Sequence, residues 1–205
     1  MRHTIILLLI SGISVTGFSQ SENASDQKLQ LGFNFGINYS NLQSDENPLS
    51  NSAEFSNALG YQMGILVDYS LTDRLSLNPR VEIAFNNGTV IFPNASEIQD
   101  VHEVLPVGLD IITYLIYELG NGKNRPYILL GPDVKLPYLD KVRASYQFSS
   151  STIVALDFGI GLNFTSEKHS FSPELRYSYG FSKQGHPFLK PFQLHSISLV
   201  VNVKS

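Results

Sequence analysis

Cysteine is absent from all 205 residues, so no disulfide can staple the chain and no lipid can be attached through an N-terminal thiol. Tryptophan is absent too, and the aromatic content rests on ten tyrosines and thirteen phenylalanines. Charge is sparse: 16% of residues are charged, the formal net charge is −4, and no basic cluster exists. That balance excludes a nucleic-acid partner and electrostatic docking on anionic lipid by a polybasic patch. Long apolar runs are missing as well. The run from Ile5 to Ile10 is far short of the about 20 residues a membrane-spanning helix needs, and no later stretch comes closer without polar interruption.

Residues present at the start read as an export signal. Arg2 and His3 form a basic start, Ile5 to Ile10 an apolar centre, and Gly17 and Ser19 a small-residue cleavage site. The expectation is a signal peptide over 1–19, cut after Ser19, and a polar linker over 20–27. Removing the single charge of Arg2 leaves the mature chain near −5.

From residue 28 onward the dominant signal has period two. Leu29, Leu31, Phe33, Phe35, Ile37 and Tyr39 fall on one parity, and Gln30, Gly32, Asn34, Gly36, Asn38 and Ser40 on the other. A strand sends successive side chains to opposite faces, so this segment has one greasy face and one wet, glycine-rich face. The pattern recurs, predicting strands over 28–42, 60–70, 75–86, part of 101–119, 125–138, 152–164, 171–181 and 195–203. Pro79 on the greasy parity predicts a bulge in the third strand. Residues 112–116 are apolar on both parities, which leaves that register open. Tight turns at 71–74, 120–124 and 165–170 alternate with long polar loops at 43–57, 87–100, 139–150 and 182–193.

Nearly every charge inside a strand sits on the glycine parity: Asp68, Arg80, Glu82, Asp110, Asp133, Lys135, Asp157, Glu174 and Arg176. A charge on a lipid-facing wall costs about 2–4 kcal/mol near the midplane. The expected fold is therefore all-β: an eight-stranded antiparallel up-and-down transmembrane β-barrel over 28–205. Its greasy face meets outer-membrane lipid, and the nine charges form an ionic network that plugs the lumen. Short echoes support the arrangement. Met63-Gly64-Ile65 followed by Asn78-Pro79-Arg80-Val81-Glu82 resembles Phe158-Gly159-Ile160 followed by Ser172-Pro173-Glu174-Leu175-Arg176, with Arg and Glu exchanged, as if one hairpin had been duplicated.

Several short motifs, in this order and spacing, resemble the PorT-like outer-membrane β-barrel proteins of the Bacteroidota. They are Gly17-Phe18-Ser19-Gln20, the strand from Leu31 to Ser40, Leu105-Pro106, Arg125-Pro126-Tyr127 leading to Gly131-Pro132, and Pro173-Glu174-Leu175-Arg176-Tyr177. The resemblance implies an eight-stranded barrel in the bacterial outer membrane and, from one member, a role beside protein secretion. Partners would then be envelope or secretion proteins meeting the four long loops.

Chemistry is thinly represented. Ser96, His102 and Glu103 could make a hydrolytic site, since a histidine can deprotonate a serine while a carboxylate orients it. No spacing signature supports this, and a histidine beside a loop is more often plain polar surface. His169, His186 and His195 lack metal-ligand spacing. The expectation is a non-enzymatic chain with no catalytic residue, no metal and no cofactor. Two alternatives remain: an outer-membrane lipid-modifying enzyme, and a soluble periplasmic barrel whose apolar interior binds a lipophile.

Overall fold

The computed structural model describes residues 28–44, 54–86, 89–92, 100–103, 107–120, 122–139, 151–166, 169–186 and 189–205. The expected signal peptide and linker lie outside them. Twelve strands occur in chain order: β1 (Leu29–Ser44), β2 (Glu54–Ser56), β3 (Ala58–Ser70), β4 (Leu75–Phe85), β5 (Thr89–Phe92), β6 (Asp100–Glu103), β7 (Val107–Glu118), β8 (Asn124–Leu139), β9 (Ile153–Thr165), β10 (Ser170–Gly180), β11 (Gln184–His186) and β12 (Leu189–Lys204).

Eight of them close into one antiparallel barrel in the order β1-β3-β4-β7-β8-β9-β10-β12. The seam runs from Gly32 opposite Lys204 to Ser44 opposite Phe192. Closure matters because an open sheet edge has no water to satisfy it inside a bilayer. The tight turns and both described chain ends lie at one rim; the long connections lie at the other.

Alternation sorts the wall. On β10 buried residues alternate with more exposed ones along the whole strand. Outside are large apolar groups such as Phe33 at 59% and Ile65 at 68% exposure. Aromatic residues gather at both rims of that surface. Tyr61 stacks on Phe85 at 4.5 Å, and Tyr179 meets Phe181 edge-on, at the long-loop rim. Phe164 and Phe171 meet at the short-turn rim. The band between is aliphatic with a few phenylalanines, and ten residues of β1 tilted as in such barrels would cover roughly 25 Å.

Several expectations are corrected. No bulge forms at Pro79: β3 and β4 keep one register on both sides of it, from Leu66 opposite Arg80 to Tyr69 opposite Leu77. A prolyl nitrogen removes one ladder bond without adding a residue, so the register survives. The irregularity falls instead at Val107/Gly108. The segments 43–57 and 87–100 are not loops throughout, because β2, β5 and β6 pair as a separate three-stranded sheet. Residues 182–193 hold the β11–β12 hairpin, and the last barrel strand starts at Leu189 rather than 195. Residues 140–150 lie outside the described region.

The interior is not uniformly polar. Ile112, Tyr114 and Ile116, whose register was open, point inward and cluster with Tyr127 and Leu129. Near the long-loop rim Leu42, Ile153, Phe192 and Leu194 are also buried. The soluble-barrel alternative is overturned, since the charges face in and the large apolar side chains face out.

Candidate functional site: the ion-paired lumen

All nine singled-out charges are buried on the inner wall, Asp133 and Glu82 almost completely. What the sequence leaves open is which of them meet. β4 and β10 stand four places apart around the eight-strand ring, on opposite sides of the lumen. Arg80 crosses it to Glu174 in a two-pronged pair: Nη2 donates to Oε1 at 2.7 Å and Nη1 to Oε2 at 2.8 Å. Two residues further along both strands the pairing repeats with the signs exchanged. Arg176 donates to Glu82 through Nη1 at 3.1 Å and Nη2 at 3.0 Å. The duplicated Arg/Glu pattern thus makes two complementary bridges, each in the geometry that favours arginine–carboxylate pairs.

Neutral groups complete the bridges. Asn34 Nδ2 and Gln62 Nε2 donate to the Glu82 carboxylate at 2.7 and 2.9 Å. Tyr127 OH donates to Glu174 Oε1 at 2.8 Å. Arg80 also donates to Asn202 Oδ1 at 3.0 Å and to Asn78 Oδ1. Tyr114 sits between the layers. Its ring lies under both guanidiniums, at 4.8 Å from Arg80 and 5.7 Å from Arg176, close enough for cation–π attraction. Its hydroxyl accepts from Arg176 Nη1 at 2.8 Å and donates to Asp157 Oδ2 at 2.6 Å.

Glycines create the room. A Cβ at Gly64 would meet Glu82 Cα and Cγ at 2.8 Å. At Gly161 a Cβ would run into the ring of Tyr127, which lies across that position to reach Glu174.

The remaining charges form separate groups. Lys135 Nζ donates to Asp110 Oδ2 at 3.3 Å and lies 2.5 Å from Asp133 Oδ2. Asp68 pairs with Lys204, and Glu118 with Arg125 at 2.6 Å, near the short-turn rim. Asp157 Oδ2 accepts from Tyr114 OH. A space of about 10 Å³ between Arg80, Glu174, Lys204 and Asp68 has room for about one water. Among the described residues no group of three or more His, Asp or Glu could hold a metal ion.

Sequence reasoning passed over Lys204, Tyr114 and Tyr127. Lys204 shares parity with buried Asn202, so extending the alternation by two residues would have found it. The two tyrosines carried no such signal, because inward aromatics look like wall residues until the register is known. His102 and Glu103 lie in β6, on the small sheet and away from the barrel ladder, while Ser96 lies outside the described residues.

A closed barrel with an apolar outer band and a charged interior is joined by one further observation. A family model described as an outer membrane protein beta-barrel domain matches residues 18–184. The chain belongs to that family. This beta-barrel domain is a bacterial outer-membrane fold, and solved structures share it. Outer membrane protein OprG from Pseudomonas aeruginosa aligns with TM-score 0.52 and 15% identity over 86% of this chain and 93% of its own. Outer membrane protein AlkL, solved in DMPC lipid bilayers, aligns with TM-score 0.52 and 17% identity over 91% of this chain and 94% of its own. No curated protein matches the sequence.

Proposed function

We propose that this outer-membrane barrel is non-enzymatic and works through its surface connections, with the lumen sealed as a rigid strut. The observation that carries the reading is the pair of bridges Arg80–Glu174 and Arg176–Glu82 spanning the lumen. The four charges of those bridges are consumed by one another, and the apolar residues Leu42, Ile153, Phe192 and Leu194 narrow the long-loop mouth. A solute path would need those bridges to break, which costs several kcal/mol for a buried pair. What is left for contact with other molecules is the surface carrying 43–57, 87–100, 139–150 and 182–193. The short motifs shared with PorT-like barrels favour an envelope or secretion protein as the partner, in an accessory role.

Planar-bilayer recording of the purified chain tests the sealed lumen, with no discrete conductance expected. Photo-crosslinking in intact cells, from positions 45, 95, 145 and 188 and from positions 73 and 122 at the short-turn rim, tests the contact surface. Steady single-channel conductance by the unaltered protein would overturn the strut reading, and crosslinks from the short-turn rim alone would overturn the surface role.

A further inference from the structure

On the outside of the wall, spanning β1, β3, β4 and β7, lies an apolar groove of about 390 Å³. Two cross-strand rows form it. Ile65, Val81 and Ile111 stand opposite one another in the first. Val67, Pro79 and Thr113 make the second, two residues nearer the short turns. The side chains of the second row are small, which sinks the surface there, and two polar groups lie open in it.

The first is a backbone carbonyl. Ser70 N donates to Lys28 O on one side of β3 and Leu71 N to Leu75 O on the other, so even-numbered residues of β3 bond to β1 and odd-numbered ones to β4. Val67 O therefore points at Pro79, which has no N–H to give. The ladder skips this position, passing from Leu66 opposite Arg80 to Tyr69 opposite Leu77. The second is the hydroxyl of Thr113, which stands opposite Pro79 on the other flank, half-buried on the outer face. No hydrogen bond among the described residues engages that hydroxyl. Among the described residues of the barrel strands, Thr113 is the one outward-facing side chain between the rims that is neither apolar nor aromatic. Hydrocarbon offers no water to either group.

We propose that this groove is a binding site for a hydroxylated acyl chain of a phospholipid in the periplasmic leaflet. The chain lies between Ile65 and Ile111, its hydroxyl donates to Val67 O, and its ester carbonyl accepts from Thr113 Oγ1. Two observations name the occupant. The groove is continuous with the lipid-facing band, so an acyl chain is what meets it. A plain chain would leave both polar groups unsatisfied, whereas a hydroxyl near a carbonyl supplies the one donor and the one acceptor they lack. β3 and β7 stand two strand spacings apart, roughly 10 Å, a span that a hydroxyl and a carbonyl two carbons away can bridge through two hydrogen bonds. Val67 is three residues from Ser70, the last of β3, and so about 10 Å along the strand from the short-turn rim, the depth of an acyl ester. The inference rests on the outer-membrane reading, in which short turns face the periplasm.

The absence of tryptophan supplies the test. Ile111→Trp places a unique fluorophore beside the groove, and Leu175→Trp places one on the opposite wall. The full mature chain carrying either change is refolded into bilayers of brominated phosphatidylcholine. Unlabelled phosphatidylcholine with β-hydroxymyristoyl or with plain myristoyl chains is then titrated in, and recovery of fluorescence is read. At position 111 the hydroxylated lipid should displace the quencher with an about fivefold higher relative association constant than the plain one, the factor one net hydrogen bond contributes. At position 175 the two should be equal. Pro79→Ala gives Val67 O a ladder partner and Thr113→Val removes the hydroxyl, so each should lower the preference and both together should abolish it. Quenching by the brominated lipid itself should persist in these variants. Equal displacement at position 111, or a preference that survives both changes, would overturn the site. Loss of quenching at position 111 alone as the protein-to-lipid ratio rises would assign the groove to a second copy of the chain and overturn it too. Absence of quenching at both positions would instead overturn the lipid-facing assignment itself.

Discussion

Arg80 and Glu174 lie 94 positions apart in sequence and meet across the barrel in a two-pronged ion pair, at 2.7 and 2.8 Å, with both side chains excluded from solvent. Such a pair is costly to form, because two charges leave water, and costlier to half-remove, because one charge is then stranded.

Breaking it from either side should therefore weaken the barrel. Arg80→Ala and Glu174→Ala are each expected to lower stability by about 3–5 kcal/mol. Thermal unfolding in detergent, followed by far-ultraviolet circular dichroism, reads this out. Replacing both partners together, with Arg80→Met and Glu174→Leu, should recover most of the loss, and an unchanged melting temperature in the single variants would remove the bridge as a structural element.

The sign exchange between the two bridges makes a second, sharper test. Arg80→Glu with Glu82→Arg puts like charges face to face in both layers, against Glu174 and Arg176. That chain should fail to fold into lipid vesicles. Adding Glu174→Arg with Arg176→Glu restores opposite signs, and refolding yield on heat-modifiability gels should return. No rescue would mean that the neutral partners Asn34, Gln62 and Tyr127, rather than charge complementarity, decide the fit.

Gly161 must stay small because Tyr127 crosses it to reach Glu174. Gly161→Val is expected to cost about 1–3 kcal/mol through overcrowding. Gly120, where an added Cβ approaches only Pro126 Cδ at 3.5 Å, should tolerate alanine. Comparing urea midpoints of the two variants checks the contrast, and equal midpoints would count against the ring placement.

Depth along the outer wall should grade the penalty of a misplaced charge. Ile65, in the aliphatic band and 68% exposed, should lose about 2–4 kcal/mol on change to Arg, while Tyr69 at the rim should lose about 0–1. Equilibrium unfolding from phospholipid vesicles measures both. A flat profile would place the band outside the hydrocarbon.

Much of this was readable beforehand, for a local reason. Period-two alternation belongs to each strand by itself, so Leu31, Phe33 and Phe35 separate from Gly32, Asn34 and Gly36 without knowledge of any neighbour. Glycine-rich turns such as 120–124, where Gly122 adopts φ of 135°, announce themselves equally locally. Ile112 to Ile116 did not, because both parities are apolar and only the ladder to β4, with Ile112 opposite Arg80, fixes which side faces in. Phe192 and Leu194 were hidden by a segment whose prolines and glycine read as a loop, although it pairs along β1 as far as Ser44.

The sequence by itself determined that there is a wall with one greasy and one charged face, because hydrophobicity and side-chain parity are written residue by residue. Tertiary structure alone decided the partners: Arg80 with Glu174, Arg176 with Glu82, and Lys204 with Asp68 at a separation of 136. The reason is geometric. Who meets whom across a lumen depends on the accumulated stagger of eight registers and on where the seam between β1 and β12 closes, and no single strand carries that information.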